Sequence, residues 1–223
     1  MTASFLRRIG ICALACFFCV CGIYAWQLSQ IKVCAFQASF YYLVTDDLRV
    51  DAGAEFVRLE GGAGYLFAQN GREYVALNVY TNKSAGEKVC ENLREQGKET
   101  QLKEIGVEKL YFLEKEDKRK TDIYVSALKC LQGDISLLEG CGTLLEKGET
   151  QERCKELLKT LCRQISFQAA NYRNGYKAFS KLCDEIVDKI KILLKDVLYT
   201  KDVRYLLCET VDAYIDLASK FKI

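Results

Sequence analysis

Seven side chains between residues 65 and 80 have the types and the spacing of a binding surface: the aromatics Tyr65, Phe67, Tyr74 and Tyr80, and the polar Gln69, Arg72 and Asn78. They lie on either side of Asn70-Gly71, a pair that favours a two-residue type I′ hairpin turn because both positions need positive φ. Such a turn sets Gln69 opposite Arg72, Phe67 opposite Tyr74, Tyr65 opposite Ala76 and Ala63 opposite Asn78. Successive strand residues point to opposite faces, so all seven share one face. Flat rings among an amide and a guanidinium suit the faces and hydroxyls of sugars. The same surface has a second reading, because an exposed apolar patch is usually covered: the face could dock on the rest of the chain or on a second subunit.

Other chemistry is scarce. The 223 residues contain no histidine, which removes imidazole bases, imidazole metal sites and every Ser-His or Cys-His pair. Two carboxylate pairs, Asp46-Asp47 and Glu116-Asp117, have the residue types of a glycosidase pair, but they sit at element ends among charged neighbours, and no phosphate loop or nucleophile elbow accompanies them. No enzyme, no metal site and no cofactor is expected. Of twelve cysteines, Cys12, Cys16, Cys19 and Cys21 lie in an apolar run, where thiols behave as small hydrophobes. The other eight (Cys34, Cys90, Cys130, Cys141, Cys154, Cys162, Cys183 and Cys208) are spread singly beside Leu and Ile, as buried free thiols would be; an even number also permits disulfides in an oxidising compartment.

Net charge is +2, and Arg7 and Arg8 account for it: the remaining 30 basic side chains match 30 acidic ones, so no nucleic-acid footprint is visible. Residues 27–117 carry 11 basic and 15 acidic groups, and residues 118–223 carry 19 and 15, a −4 and +4 asymmetry that would draw two units together. Proline is absent, so no stiff linker separates them.

The elements that would position these residues follow from periodicity. From Ser39 to Leu113 the order reads β-α-β-β-α-β, with strands at Ser39–Thr45, Gly62–Gln69, Arg72–Tyr80 and Glu99–Leu113 and helices over about 48–59 and 83–96. The halves resemble each other, Ala-Gly-Ala-Glu-Phe-Val (52–57) lying 32 residues before Ser-Ala-Gly-Glu-Lys-Val (84–89). Two βαβ halves around a hairpin form a ferredoxin-like split, in which both helices cover one face and Val75, Leu77 and Val79 line it. From Lys118 the period is helical. Apolar stripes through Ala127–Leu145, Cys154–Ile165, Phe179–Val197 and Val203–Leu217, broken near Gly148, Asn174-Gly175 and Thr200, predict an antiparallel four-helix bundle over 118–223.

Residues 9–26 (IGICALACFFCVCGIYAW) carry no charge over 18 positions, about 27 Å of helix at ~1.5 Å per residue, enough to reach across a bilayer. Arg7 and Arg8 before the run and Tyr24 and Trp26 at its end predict a single-pass transmembrane helix with a cytoplasmic tail at 1–8 and an extracytoplasmic remainder. A cleaved signal peptide competes, although no Ala-x-Ala site follows. The expected fold class is α+β: an N-terminal transmembrane helix, a ferredoxin-like domain at 38–113 and a C-terminal helical bundle.

Tyr74 to Gly97 (YVALNVYTNKSAGEKVCENLREQG) resembles the SPOR (sporulation-related repeat) pattern: a strand ending in an aromatic, a short polar turn, a small residue before Glu, then a leucine and a closing glycine. With the first half the resemblance covers residues 38–113. Where family members often read Val-Gln-Val-Gly-Ser-Phe, this strand reads Val75-Ala76-Leu77-Asn78-Val79-Tyr80. The resemblance implies binding to bacterial peptidoglycan glycan strands stripped of stem peptides, and recruitment to division or sporulation septa. The expectation is therefore a non-catalytic cell-envelope protein at the bacterial cell membrane, bound to the lipid bilayer through 9–26 and to glycan through Tyr65, Phe67, Gln69, Arg72, Tyr74, Asn78 and Tyr80. The alternative is a membrane-anchored interaction or assembly factor working with other envelope proteins, its sheet face buried against the bundle or a partner.

Overall fold

The computed structural model describes Gly22 and residues 31–34, 36–45, 50–107, 110–113 and 118–220. In chain order the elements are β1 (Ile31–Cys34), β2 (Ala38–Thr45), α1 (Val50–Leu59), β3 (Tyr65–Gln69), β4 (Arg72–Tyr80), α2 (Lys83–Glu95), β5 (Thr100–Val107), β6 (Leu110–Leu113), α3 (Lys118–Glu146), α4 (Gln151–Tyr172), α5 (Lys177–Leu193) and α6 (Thr200–Ser219). The four-stranded sheet has the order β3-β4-β2-β5 and is antiparallel throughout. The single strand expected over Glu99–Leu113 is two: β5 stays in the sheet, whereas β6 pairs with β1 in a separate antiparallel ribbon.

Local chemistry explains the boundaries. Asn70 and Gly71 take φ of 53° and 74°, the conformation that closes a two-residue hairpin, and Gln69↔Arg72, Phe67↔Tyr74 and Tyr65↔Ala76 pair as the turn requires. The Asn82 side chain accepts a bond from the Ala85 amide and starts α2, and Thr150 does the same for α4 through Arg153. Gly97 and Gly148 end α2 and α3 with positive φ, and the following amides of Lys98 and Glu149 return to Leu93 and Leu144 carbonyls.

The last four helices fold back on one another. Cys141 lies against Cys154, Asp134 against Gln164 and Ser126 against Tyr172, so α3 and α4 run antiparallel; α4 meets α5 through Ala169 and Ser180, and α3 meets α6 through Glu146 and Arg204. Sheet and bundle share one core. Phe40, Tyr42, Val44, Phe67 and Ala76 of the sheet are buried in the same cluster as Leu207, Val211 and Tyr214 of α6. Across that seam Phe40 and Tyr214 meet edge to face at 5.5 Å, and the Tyr42 hydroxyl donates to the Cys208 carbonyl at 3.2 Å.

Two expectations are corrected. Among the described residues no helix is long and apolar enough to cross a membrane. α3, α4 and α6 have the length, but they are amphipathic; α4, for instance, exposes Glu152, Arg153, Glu156, Lys159 and Arg163. The expected transmembrane helix, the bilayer contact and the single-pass membrane localisation are withdrawn on that finding; residues 9–26 themselves, Gly22 apart, lie outside the described ones, as do the tail 1–8 and the carboxylate pairs Asp46-Asp47 and Glu116-Asp117. The fold class becomes mixed α/β, with six helices, a four-stranded sheet and a two-stranded ribbon among the described residues.

The second correction is inside β4. Leu43 pairs with Asn78 and Val44 with Ala76, leaving Leu77 as an extra residue on β4. This bulge shifts the alternation by one position, so every side chain after it changes face. Val79, expected under the helices, faces the bundle with Tyr42. Asn78 and Tyr80, expected on the aromatic face, turn toward α1 and α2, where Tyr80 is buried with Leu43 and Cys90. Gly86 lets α2 settle there: a Cβ at that position would lie 2.9 Å from Leu102 Cδ1 and 3.2 Å from Tyr80 Cδ2.

Candidate functional site

The bulge divides the seven candidate residues between the two sheet faces. On the bundle face remain Tyr65, Phe67, Gln69, Arg72 and Tyr74, and they form no flat platform. The hairpin tip bends over the neighbouring strands: Phe67 stacks on Tyr42 at 4.5 Å and on Tyr74 at 5.6 Å, and Lys103 Nζ sits 5.1 Å above the Tyr74 ring. Gln69, on one edge strand, donates from Nε2 to the Glu104 carbonyl on the other at 3.2 Å, which requires the sheet to curl.

α6 closes what the curl leaves open. Tyr65 packs edge to face on Tyr205 at 5.4 Å, and its hydroxyl donates to Asp212 Oδ2 at 2.8 Å. Arg58 of α1 reaches the same helix, its guanidinium 5.0 Å over the Tyr205 ring and 2.9 Å from Asp202 Oδ1. Burial pushes the Tyr42 and Tyr65 hydroxyls well above the ordinary phenol range, with the nearby Asp212 carboxylate adding to the effect, so both stay neutral donors. Of the five, only Arg72 is fully exposed; Gln69, Tyr65 and Tyr74 are half-buried and Phe67 is buried.

Asn78 and Tyr80 open onto a different place. α1 and α2 cover the other sheet face incompletely, and between them lies a cleft of about 570 Å³. Its floor is Leu43, Leu77, Asn78 and Tyr80, and its walls are Val57 of α1 and Val89 and Leu93 of α2. At one end Lys98 pairs with Glu60 at 3.1 Å, beside Glu99. The other end is roofed from the bundle: Arg204 of α6 donates to the Gly61 carbonyl at 2.9 Å and pairs with Glu146 at 2.8 Å. The size and the apolar lining with a few polar groups are those of a small-molecule site.

One polar atom in this cleft is left over. Asn78 is 8% exposed, and its Oδ1 is buried without a hydrogen-bond partner. The other polar groups are engaged: Thr45 Oγ1 donates to the Glu99 carbonyl at 3.2 Å and Thr100 Oγ1 to the Cys90 carbonyl at 3.3 Å. A buried polar atom without a partner costs about 1–3 kcal/mol, and the same state recurs in the helical region at Asp134 Oδ2, Gln168 Oε1, Thr210 Oγ1 and the Tyr214 hydroxyl.

The helical region carries no comparable chemistry. Among the described residues no three His, Cys, Asp or Glu side chains converge as a metal site would require. The thiols of Cys141, Cys154, Cys183 and Cys208 are buried and desolvation raises them, Cys141 to about 12, so they remain protonated rather than nucleophilic. Sequence reasoning reached Asn78 but gave it the wrong face; it set Leu77 under the helices as core and did not single out Val89 or Arg204 as site residues. The available signal was Asn78 itself, a residue depleted from strands in the middle of one. Comparison of the chain with models of known families, with curated proteins and with solved structures gives no match, so the likeness of residues 74–97 to the sporulation-related repeat stands on those residues alone.

Proposed function

We propose that this chain is a non-catalytic binding protein that takes a small, largely apolar molecule into the cleft between α1 and α2. The observation that carries the reading is the cleft itself, about 570 Å³ between α1 and α2, floored by Leu43 and Leu77 and walled by Val57, Val89 and Leu93. The cleft walls are aliphatic, and the ion pairs Lys98–Glu60 and Arg204–Glu146 sit at its two ends, an arrangement that binds and orients rather than one that moves protons. A screen of uncharged fragments by methyl NMR on the full chain tests it. Binding should shift the methyls of Leu43, Val57, Leu77 and Val89, and Val89→Phe should abolish those shifts by filling the space. If no fragment moves them, or the filled variant binds as before, the cleft is not a ligand site.

A second reading keeps the glycan ligand on the bundle-facing side of the hairpin. Its support is the half-exposed Tyr74 ring flanked by Arg72 and Lys103, a cationic and aromatic corner able to meet a sugar carboxylate. Against it, Tyr65 and Phe67 are engaged by α6 and Tyr42. Co-sedimentation with purified peptidoglycan, before and after amidase treatment, separates the two readings. Retention that is lost in Tyr74→Ala favours the glycan corner, and no retention leaves the cleft.

A further inference from the structure

The two edges of the four-stranded sheet are finished differently. β5 carries Lys103 and Glu104, lends its Glu104 carbonyl to Gln69 Nε2 and packs under α2. Charges and cover of that kind keep a strand edge from pairing with another chain. β3 is unguarded: Tyr65-Leu66-Phe67-Ala68-Gln69 holds no charge, no proline and no bulge. The hairpin fixes which of its main-chain groups are free. A two-residue turn makes Gln69↔Arg72 a hydrogen-bonded pair, so Phe67 and Tyr65 also bond to β4, and the N–H and C=O of Leu66 and Ala68 point away from it. The Ala63 amide, donating to the Leu77 carbonyl at 2.7 Å, keeps the same phase. Among the described residues no hydrogen bond reaches those outward groups, and both side chains are exposed, Leu66 at 42%. Two donors alternating with two acceptors along an open edge fit one kind of partner, an extended strand.

We infer that a second copy of this chain supplies that strand, β3 pairing antiparallel with β3 of the partner about a twofold axis at Phe67 to give one continuous eight-stranded sheet. The strand is complementary to itself in three respects. Its outward groups match: Leu66 meets Ala68 of the partner subunit and Ala68 meets the partner's Leu66, so four main-chain bonds close and none is left over. Its side chains match as well, a large one against a small one at both positions. Its flanking charges also match. Arg72 stands beside Gln69 at one end of β3, and Asp212 accepts the Tyr65 hydroxyl at the other end, on the same sheet face. Both are exposed, and neither has an ion-pair partner among the described residues. Antiparallel pairing carries each Arg72 to the end of the interface at which the partner's Asp212 stands. The pairing consumes the edge, so assembly closes at two chains. Nothing in β3 lines the cleft between α1 and α2, and the dimer forms whether or not the cleft is filled.

Sedimentation velocity of the full chain from micromolar to millimolar concentration tests this. A reversible monomer–dimer equilibrium is expected, with the modest affinity of a small interface. Ala68→Pro removes an outward amide and no bond to β4, so the chain should fold as before by circular dichroism and dimerise at least about tenfold more weakly. Arg72→Asp should weaken the dimer several-fold, and adding Asp212→Arg should restore it. Both charged residues are exposed, so this exchange keeps the test open if the proline disturbs the hairpin. A chain that stays monomeric at millimolar concentration would overturn the dimer; slow hydrogen exchange at the Leu66 and Ala68 amides in that monomer would show that another segment of the chain covers the edge. A dimer left unchanged by the proline and by the charge reversal forms on some other surface, which would overturn the pairing through β3 as well.

Discussion

The two faces of the sheet are built from the same strands and finished in opposite ways. On the bundle face, residues far along the chain close every gap: Tyr214 against Phe40, Tyr205 against Tyr65, the Cys208 carbonyl and Asp212 on the two sheet tyrosine hydroxyls. On the other face the cover comes from within the βαββαβ segment, as helices of 10 and 13 residues that leave a cleft and an unsatisfied amide oxygen between them. Aromatic side chains here mark a core. A surface rich in rings is attractive to any apolar neighbour, including one on the same chain, whereas two short helices cannot cover the whole of the other face.

The largest test of this contrast is truncation on each face. Phe40 is fully buried against Tyr214, and Phe40→Ala should cost about 3–5 kcal/mol in urea unfolding of the full chain. Leu77 is only half-buried at the cleft floor and already faces space, so Leu77→Ala should cost about 1 kcal/mol or less. Comparable losses at the two positions would mean that the cleft face is packed as tightly as the bundle face.

A second test compares two orphaned polar groups. Asp134 in α3 is 2% exposed, with Oδ1 accepting from Gln164 Nε2 at 2.6 Å and Oδ2 unpartnered. Desolvation raises its carboxyl from 3.8 to about 6, against the lowering effect of the neighbouring Gln168 and Gln164 amides. The folded state binds the proton more tightly than the unfolded chain, so this contribution to stability is complete below about pH 4 and is lost as pH rises toward 6. The two-unit difference corresponds to about 3 kcal/mol. Asp134→Asn should flatten stability against pH across that window and raise it at neutral pH. An unchanged slope would show that another group controls it.

Much of the fold was legible from local chemistry. The strand at Arg72–Tyr80, the Asn70-Gly71 register and the glycine-closed ends of α2 and α3 each follow from backbone preferences that no tertiary contact overrides. What was not legible depends on non-local packing. The Leu77 bulge is a property of the pairing between β2 and β4, and the run Val75-Ala76-Leu77-Asn78-Val79-Tyr80 alternates equally well without it. One misplaced residue reassigned Asn78, Val79 and Tyr80 together, because strand periodicity carries an error to the end of the strand. Docking of α6 was foreseeable as one of two fates of an aromatic face; which fate prevailed was decided by partners such as Asp212 and Tyr205, more than 120 residues distant in the chain.

Hydroxyl deletion at the bundle seam has a smaller effect. Tyr65→Phe removes a 2.8 Å bond to a carboxylate at a half-exposed position, and about 1 kcal/mol should be lost. The ring stays on Tyr205, so the folded structure should be unchanged by circular dichroism. Full retention of stability would mean that solvent serves Asp212 as well as the tyrosine does.

The smallest expected effect is the most informative about the cleft. Asn78 and Tyr80 both turn toward α1 and α2, and Asn78 Oδ1 is buried there without a partner. Replacing both with apolar residues of similar shape, Asn78→Leu with Tyr80→Phe, removes the orphan without creating another, and such paired replacements are close to neutral or stabilising, within about 1 kcal/mol. On the bundle face the equivalent deletion loses stability, so the two faces should respond with opposite sign or one of them not at all. The double variant should fold at least as well as the parent. If the double variant instead loses 2 kcal/mol or more, roughly the penalty for breaking a satisfied buried network, then Asn78 is held for packing, and the cleft has no claim on it.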